Sequence, residues 1–281
     1  MKFKILSDST CDLPKEIIEQ YNITIVPLTV VKDEKDFKDG IDINPADIFD
    51  HVANGGSLCS TSAVSVGEYE EFFEKYSAEY DGVLLINIGS GFSSCHQNAL
   101  VAAEDFSNVR CIDSMSLTCA QGFLVLKACE LAATAESLDE LAEAVTAIIP
   151  KLEGSFVLDQ LKYMAKGGRC SSATALGANL LNLKPCIELK DGKLGVTKKY
   201  RGSYVKSLTG YIKDRLSERT DLDTEILFLV YTVDVGEEIL APVRAAIAEY
   251  SQFGRVIEAY AGCTVSCHCG PSTLGIMTMR K

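Results

Sequence analysis

Val83-Leu-Leu-Ile-Asn-Ile-Gly-Ser-Gly-Phe-Ser-Ser94 is the stretch on which the fold turns. The apolar run Val83–Ile88 leads directly into a tight loop, Gly89–Ser94, and then into a helical pattern ending near Ala103. A second strand pattern, Val109–Ile112, follows, then a loop and a helix around Ala120–Ala133. Strand, crossover helix, strand is the unit of a parallel sheet. Its strands are covered on both faces and therefore read as apolar runs rather than as alternation.

Upstream, the same alternation holds. Phe3–Leu6 reads as a short buried strand, and Asp12-Leu-Pro14 predicts a helix start, with Asp12 capping and Pro14 in the first turn. Ile23–Val31 reads as one β-branched strand, and Asn44-Pro45 opens a helix that ends at Gly55-Gly56. Ser65-Val-Gly-Glu68 is a capping box, and Tyr69, Phe72, Phe73 and Tyr76 fall on one helix face, which predicts core packing. Ser137-Leu-Asp-Glu140 is a second capping box. Downstream the pattern changes at Pro150–Gly154, the best boundary candidate. Lys184–Lys190 and Lys193–Lys199 flank Asp191-Gly192, a hairpin with a type I′ turn. Strand Ile226–Tyr231 and strand Val256–Tyr260 alternate with helices. The expected fold class is α/β in two domains. Residues 1–152 form an α/β/α domain with a mostly parallel sheet, and residues 153–281 form a second domain with a mixed sheet and helices.

Composition narrows the function. The 281 residues are 47% hydrophobic and 23% charged, which is ordinary for a globular protein. With 27 Lys+Arg against 39 Asp+Glu the formal net charge is −12. That argues against a nucleic-acid surface and against electrostatic attachment to an anionic membrane, leaving room only for a transient membrane contact. The start lacks a signal-peptide pattern and no apolar run is long enough to span a bilayer, so a cytoplasmic location is expected. Eleven Cys, an odd number, read as thiols rather than as a disulfide framework.

In an open parallel sheet, ligands bind beyond the carboxyl ends of the strands. Three loops fall there: Ser7–Cys11, Gly89–Ser94 and Asp113–Thr118. With Thr61-Ser62, which precedes a helix, they are rich in hydroxyls, and none of them contains Lys or Arg. Ser93 and Ser94 stand where a helix begins, so N–H groups and hydroxyls would converge on an anion. The plain alternative is ordinary turn and cap chemistry. Neutral donors suit a single carboxylate better than a polyphosphate. Asp8, Asp12 and Asp113 are acidic candidates at the same edge, without a metal-binding pattern. Gly167-Gly168-Arg169 before the apolar helix Ala173–Leu181 is a weaker anion signal. Lys198-Lys199-Tyr200-Arg201-Gly202 is a local basic cluster. His268 lies in a Gly- and Pro-bounded loop beside Cys263, Cys267 and Cys269. Consecutive ligands diverge on an extended chain, so no zinc site is expected. Gly89-Ser-Gly-Phe-Ser93 is not a G-x-S-x-G nucleophile elbow.

Taken together these motifs resemble the DegV family of bacterial fatty-acid-binding proteins. The resemblance is carried by Ser7-Asp-Ser-Thr-Cys-Asp-Leu-Pro14, Thr61-Ser-Ala-Val-Ser65, Gly89-Ser-Gly-Phe-Ser93 with Gln97-Asn-Ala, and Asp113-Ser114. Leu161-Lys-Tyr-Met-Ala-Lys-Gly-Gly-Arg169, Leu181-Asn-Leu-Lys-Pro185, Lys199-Tyr-Arg-Gly202 and His268-Cys-Gly-Pro271 continue it. It implies a DegV-like fold, with a long-chain fatty acid buried between or near the two domains, its carboxylate contacted by Thr61 and Ser93. Ser62 and Ser94 are further ligand-binding candidates. The resemblance puts Arg169, Arg201 and His268 around the carboxylate or at the encounter with a partner, Arg201 and His268 serving partner or phosphate handling.

The resemblance implies that this partner is a separate ATP-dependent fatty-acid kinase, which makes an acyl phosphate for phospholipid synthesis. The protein itself is then a carrier, not an enzyme, with no cofactor and no metal. Two rival readings are a stand-alone hydrolase or acyltransferase using Ser93 and His268, and a sensor for another apolar carboxylate. The sequence departs from the family where Val64 replaces a usual Pro, Ser94 and His96 a usual Gly and Tyr, and Ser272 a usual Gly.

Overall fold

Phe3–Asp8 forms strand β1, and every residue after the first is buried. The structure, a computed structural model, describes residues 1–175 and 183–281. Helix α1 (Lys15–Gln20) and strands β2 (Thr24–Val26), β3 (Thr29–Lys32) and β4 (Lys35–Lys38) follow, then α2 (Pro45–Ala53), β5 (Ser60–Ser62) and α3 (Val66–Ser77). The βα alternation continues with β6 (Gly82–Asn87), α4 (Cys95–Ala103), β7 (Val109–Asp113), α5 (Thr118–Leu131) and α6 (Leu138–Thr146). The remainder comprises β8 (Leu152–Val157), α7 (Leu161–Gly167), α8 (Ser171–Thr174), β9 (Leu183–Lys190), β10 (Lys193–Arg201) and α9 (Tyr204–Leu216). It ends with β11 (Leu222–Tyr231), α10 (Glu237–Tyr250), β12 (Arg255–Tyr260), α11 (Cys263–Cys269) and β13 (Leu274–Arg280).

The chain divides into two compact units. One comprises Met1–Asn44, Cys59–Pro150 and Gly262–Thr264; the other comprises Pro45–Leu58, Lys151–Ala261 and Val265–Lys281. The units change between Pro150 and Lys151, whereas a boundary between 152 and 153 would fall inside β8.

In the first unit β2, β1, β6 and β7 form a parallel sheet in that order. Strand order therefore reverses direction between β1 and β6. All six residues of β6 are buried, as a strand covered on both faces requires. Ser65 caps α3 in the expected reciprocal box with Glu68, and Tyr69 and Phe73 are wholly buried and stacked at 6.0 Å. Ser137 caps α6 through Glu140 N–H, while the Glu140 carboxylate reaches Glu136 N–H instead of closing a box on Ser137.

Two expectations for this unit need correction. The run Ile23–Val31 is two strands, because Pro27 brings no N–H to a ladder. β2 joins the parallel sheet, and β3 joins a separate antiparallel sheet ordered β4-β3-β5. Asp12 does not cap α1; Pro14 occupies that position, and Asp12 closes the 3-10 turn Ser9–Cys11 in a left-handed conformation, φ 49°.

The second unit holds a six-stranded mixed sheet ordered β10-β9-β8-β13-β11-β12, in which only β11 and β12 run parallel. The β9–β10 hairpin turns through Asp191 (φ 50°) and Gly192 (φ 70°), the pair of positive φ angles of a type I′ turn. Its core gathers Leu208, Tyr211 and Ile212 of α9 against Leu227, Leu229, Leu274 and Ile276 of the sheet. Within the boundary stretch Pro150–Gly154, Leu152–Gly154 already belong to β8, paired with β13. Strand β13 itself was missed, although it lies inside the sheet. The segment around His268 is helix α11 rather than an extended loop. Most of the expected helix Ala173–Leu181, and Leu181 and Asn182 of the Leu181–Pro185 motif, lie outside the described residues; α8 covers only Ser171–Thr174.

Candidate functional site: a hydroxyl-rich sheet edge and a glycine-packed histidine

The reversal point between β1 and β6 is where a doubly wound sheet opens a crevice at its carboxyl end. Asp8, at the end of β1, is wholly buried there. Its Oδ1 accepts from Thr10 N–H (3.2 Å), the Thr10 hydroxyl (2.5 Å) and Gln121 Nε2 (3.0 Å), and its Oδ2 accepts from Ile88 N–H (2.7 Å). Burial raises the Asp8 carboxyl above its ordinary range, against the pull of those four donors. Gln121 also donates to Ser7 Oγ (2.9 Å), which in turn donates to Ile86 C=O (3.0 Å). The Ser7–Thr10 hydroxyls thus serve an internal network. Asp8 was singled out from the sequence; Gln121, contributed by α5 more than a hundred residues later, was not.

The next loop is shaped by close backbone approach. Gly89 N–H donates to Ser116 C=O at 2.7 Å, and a Cβ on Gly89 would come within 2.8 Å of Ser116 N. Asp113 Oδ1 accepts from both Ser90 N–H (3.0 Å) and Met115 N–H (2.9 Å), tying two predicted loops together. Ser93 is partly buried, and its Oγ accepts from Cys95 N–H (3.3 Å) and donates to Cys95 Sγ (3.2 Å). Ser94 is the exposed N-cap of α4 and makes no side-chain cap bond. Thr61 lies in the middle of β5, opposite Val30 of β3, with Ser62 exposed beside it. Asn98 of α4 joins the two segments by donating to Val64 C=O at 2.7 Å. The Thr61–Ser65 and Gly89–Asn98 motifs therefore meet in one unit.

His96, the departure from the family pattern, has Nδ1 3.4 Å from Asn87 Oδ1, and Asn87 donates to the Tyr69 hydroxyl at 2.9 Å. Burial lowers its pKa, with Asp113 opposing. Among the described residues, the groups hydrogen-bonded to Ser93 Oγ are those of Cys95, whose thiol burial pushes up to about 11. A serine nucleophile needs a base within hydrogen-bond reach, and Cys95 does not supply one.

In the second unit, two motifs a hundred residues apart pack together. A Cβ on Gly167 would come within 2.3 Å of His268 Nδ1, and one on Gly270 within 2.4 Å of the Tyr163 ring. Glycine is therefore required at both positions by contact, and at Gly270 also by φ 76°. Arg169 Nη1 donates to Gly167 C=O at 2.7 Å. His268 is pushed down to about 4, first by burial and then by the Arg169 cation, so the imidazole is neutral at pH 7. Arg201 is exposed at the end of β10 and carries no ion pair among the described residues. In the same basic run Lys198 pairs with Asp214 at 2.5 Å. Ser272 has φ 53°, the left-handed region that suits the family's usual Gly. The cost of a side chain there is offset by Ser272 N–H and Oγ both donating to Asp234 Oδ2, at 2.7 and 2.8 Å.

Comparison with known proteins decides the family. The model of the family described as "Uncharacterised protein, DegV family" matches residues 2–281. This chain belongs to the DegV family. A DegV domain-containing protein of Caldanaerobacter subterraneus subsp. tengcongensis is 33% identical over 282 residues, covering 100% of this chain and 99% of the relative. A DegV family protein from Thermus thermophilus, described by its fatty-acid binding, is 25% identical, covers 100% of both chains and superposes with a TM-score of 0.89. The fatty-acid-binding DegV of Bacillus subtilis is 26% identical over 100% of both chains, with a TM-score of 0.84. A stearic-acid-binding protein from Eubacterium ventriosum is 27% identical, covering 99% of this chain and 98% of that one, at a TM-score of 0.86. The DegV fold, a parallel sheet and a mixed sheet in one α/β chain, is the fold expected from the sequence. No described helix is long and apolar enough to cross a membrane.

Proposed function

We propose that this DegV-family chain binds a long-chain fatty acid and presents its carboxylate, in the cytoplasm, to a separate ATP-dependent kinase that makes the acyl phosphate. The observation that carries the reading is its full-length similarity to fatty-acid-binding relatives, whose TM-scores reach 0.89. The sheet edge supports it: the hydroxyls of Thr61, Ser62, Ser93 and Ser94, without Lys or Arg in their loops, suit one carboxylate. Thr61 and Ser93 hold that carboxylate, with Ser62 and Ser94 beside them. About 15 methylenes at ~0.8 kcal/mol each give ~12 kcal/mol of gross burial. Lost ligand motion offsets part of it. The head-group site then needs only to orient the carboxylate, which must stay ionised to attack phosphorus. Arg201, exposed and outside any described ion pair, meets the incoming phosphate, while Arg169 and His268 shape the approach. The protein acts as a carrier, and catalysis belongs to the kinase.

The test is extraction of the purified protein with organic solvent and mass spectrometry of the extract. A C14–C18 acid is expected at near one per chain, and an empty protein that also refuses those acids overturns the reading. Ser93→Ala should weaken acid binding by roughly 1.5–3 kcal/mol, the value of a charge-assisted hydrogen bond, and leave the methyl ester unaffected. Equal losses for acid and ester would remove Ser93 from the head-group site.

A further inference from the structure

Strand β12 ends the six-stranded sheet among the described residues, with β11 on one side and no strand on the other. Its register with β11 runs residue for residue from Ile226↔Arg255 to Tyr231↔Tyr260, and Ala261 N–H donates to Tyr231 C=O at 3.0 Å. By the two-residue alternation of a strand, the backbone groups of Arg255, Ile257 and Ala259 turn toward β11. Those of Val256, Glu258 and Tyr260 turn outward. Proteins blunt such edges with charge or cover them. Here Glu258 is drawn back, accepting from Arg244 Nε at 2.5 Å and from the Tyr231 hydroxyl at 2.8 Å. Val256 and Tyr260, on the same side of the strand as Glu258, stay 42% and 58% exposed.

Beside this edge lies a groove of about 570 Å³ between β12 and the carboxyl-terminal half of α10. Ile247, Ala248, Phe253 and Val256 line its apolar part, and Arg244 and Glu258 its rim. An unpaired strand edge flanked by a helix, with an apolar groove between them, is the arrangement that captures an extended peptide as an added strand. Main-chain bonds form along the edge, and alternate side chains enter the groove. The charges select the peptide. At the groove's rim Arg244 faces two carboxylates, Glu237 and Glu258. The rim is thus net acidic on a chain of net charge −12, which disfavours a second copy of this chain and favours a basic strand.

We propose that β12 is a docking edge for an extended segment of a partner protein in which apolar residues alternate with Lys or Arg, one apolar side chain seating in the α10–β12 groove.

The test uses the full-length protein and two fluorescent libraries of capped heptapeptides, one alternating apolar residues with Lys or Arg, the other with Asp or Glu. Saturable binding from the basic library is expected. It should fall at least tenfold when alternate peptide nitrogens are methylated, and at least tenfold with Ala248→Trp, which fills the groove from an exposed position. Val256→Lys provides a second variant, and an unchanged urea midpoint shows that each is folded. Four results would overturn the proposal: neither library binds, the methylated peptides bind equally, the acidic library binds better, or palmitate displaces the peptide. Concentration-dependent dimerisation abolished by Ala248→Trp would assign the edge to a second copy instead.

Discussion

His268 is held neutral by where it sits. Its ordinary pKa is near 6.5, and burial with the Arg169 cation pushes it down to about 4. Above pH 6.5 the ring is neutral in both the folded and the unfolded chain, and its contribution to stability is intact. As pH falls through 6.5 toward 4, the unfolded chain takes up a proton that the folded chain refuses, so stability is lost in that window. The loss from this one group is no more than about 3 kcal/mol. His268→Gln should flatten that part of the curve of urea midpoint against pH. A mutant whose midpoint falls between pH 7 and pH 4.5 as steeply as wild type would place the acid sensitivity elsewhere. The sequence marked His268 as a candidate, but its charge state follows from burial and Arg169, and neither was readable from a Cys-rich stretch. Ser93 became a candidate because hydroxyls in a loop after a strand stand out, and Thr61 through the family resemblance. Gln121 was not, because a glutamine in an apolar helix carries no local signal and acquires its role only when α5 packs on β1.

At the scale of elements, α7 and α11 are matched through glycine. Gly167→Ala would bring a Cβ to within 2.3 Å of His268 Nδ1, so the ring or the helix must move. The expected outcome is a lower unfolding midpoint together with a His268 pKa that climbs from about 4 toward 6.5, read from its ring protons by NMR. An unmoved pKa would show that the ring is not packed on Gly167. In the first unit, Ser65→Ala removes the acceptor of Glu68 N–H and frees Glu68, which also pairs with Lys38. A cost of about 1 kcal/mol is expected from urea denaturation. This capping box was readable beforehand because its four residues are adjacent. The pairing of β5 with β3 was not, since a three-stranded antiparallel sheet assembled from residues 29–62 has no local turn signature at β5.

For the molecule as a whole, Asp39 links stretches of chain that lie far apart in sequence. It is buried, and its two carboxylate oxygens accept from Cys263 N–H (2.9 Å) and Thr264 N–H (3.0 Å), more than two hundred residues on, while Ser9 Oγ donates to Oδ2 at 3.0 Å. Asp12 Oδ1 accepts from Gly262 N–H next door at 2.9 Å. These bonds make Gly262–Thr264 part of the first unit, while Ala261 and Val265 on either side belong to the second. Asp39→Ala would strand two buried N–H groups, each costing about 1–3 kcal/mol. The expected result is a loss of at least about 2 kcal/mol in global stability, with Asp39→Asn falling between because one oxygen remains. A neutral Asp39→Ala would show that water or a shifted backbone replaces the carboxylate.

What the sequence determined by itself was carried by near neighbours: the βα alternation, the buried β6 run, the α3 capping box, the Asp191-Gly192 turn and the hydroxyl-rich loops at the carboxyl edge. Each depends on spacings of a few residues, where periodicity and backbone preference act directly. The tertiary structure alone decided which distant pieces share a site. It set Gln121 on Asp8, Asn98 on Val64, Gly167 on His268 and Asp39 on the 262–264 backbone. It also placed β13 inside the mixed sheet and turned the Cys-rich stretch into helix α11. The physical reason is that these features depend on desolvation and on close contact between segments far apart in the chain, and neither exists until the chain has folded.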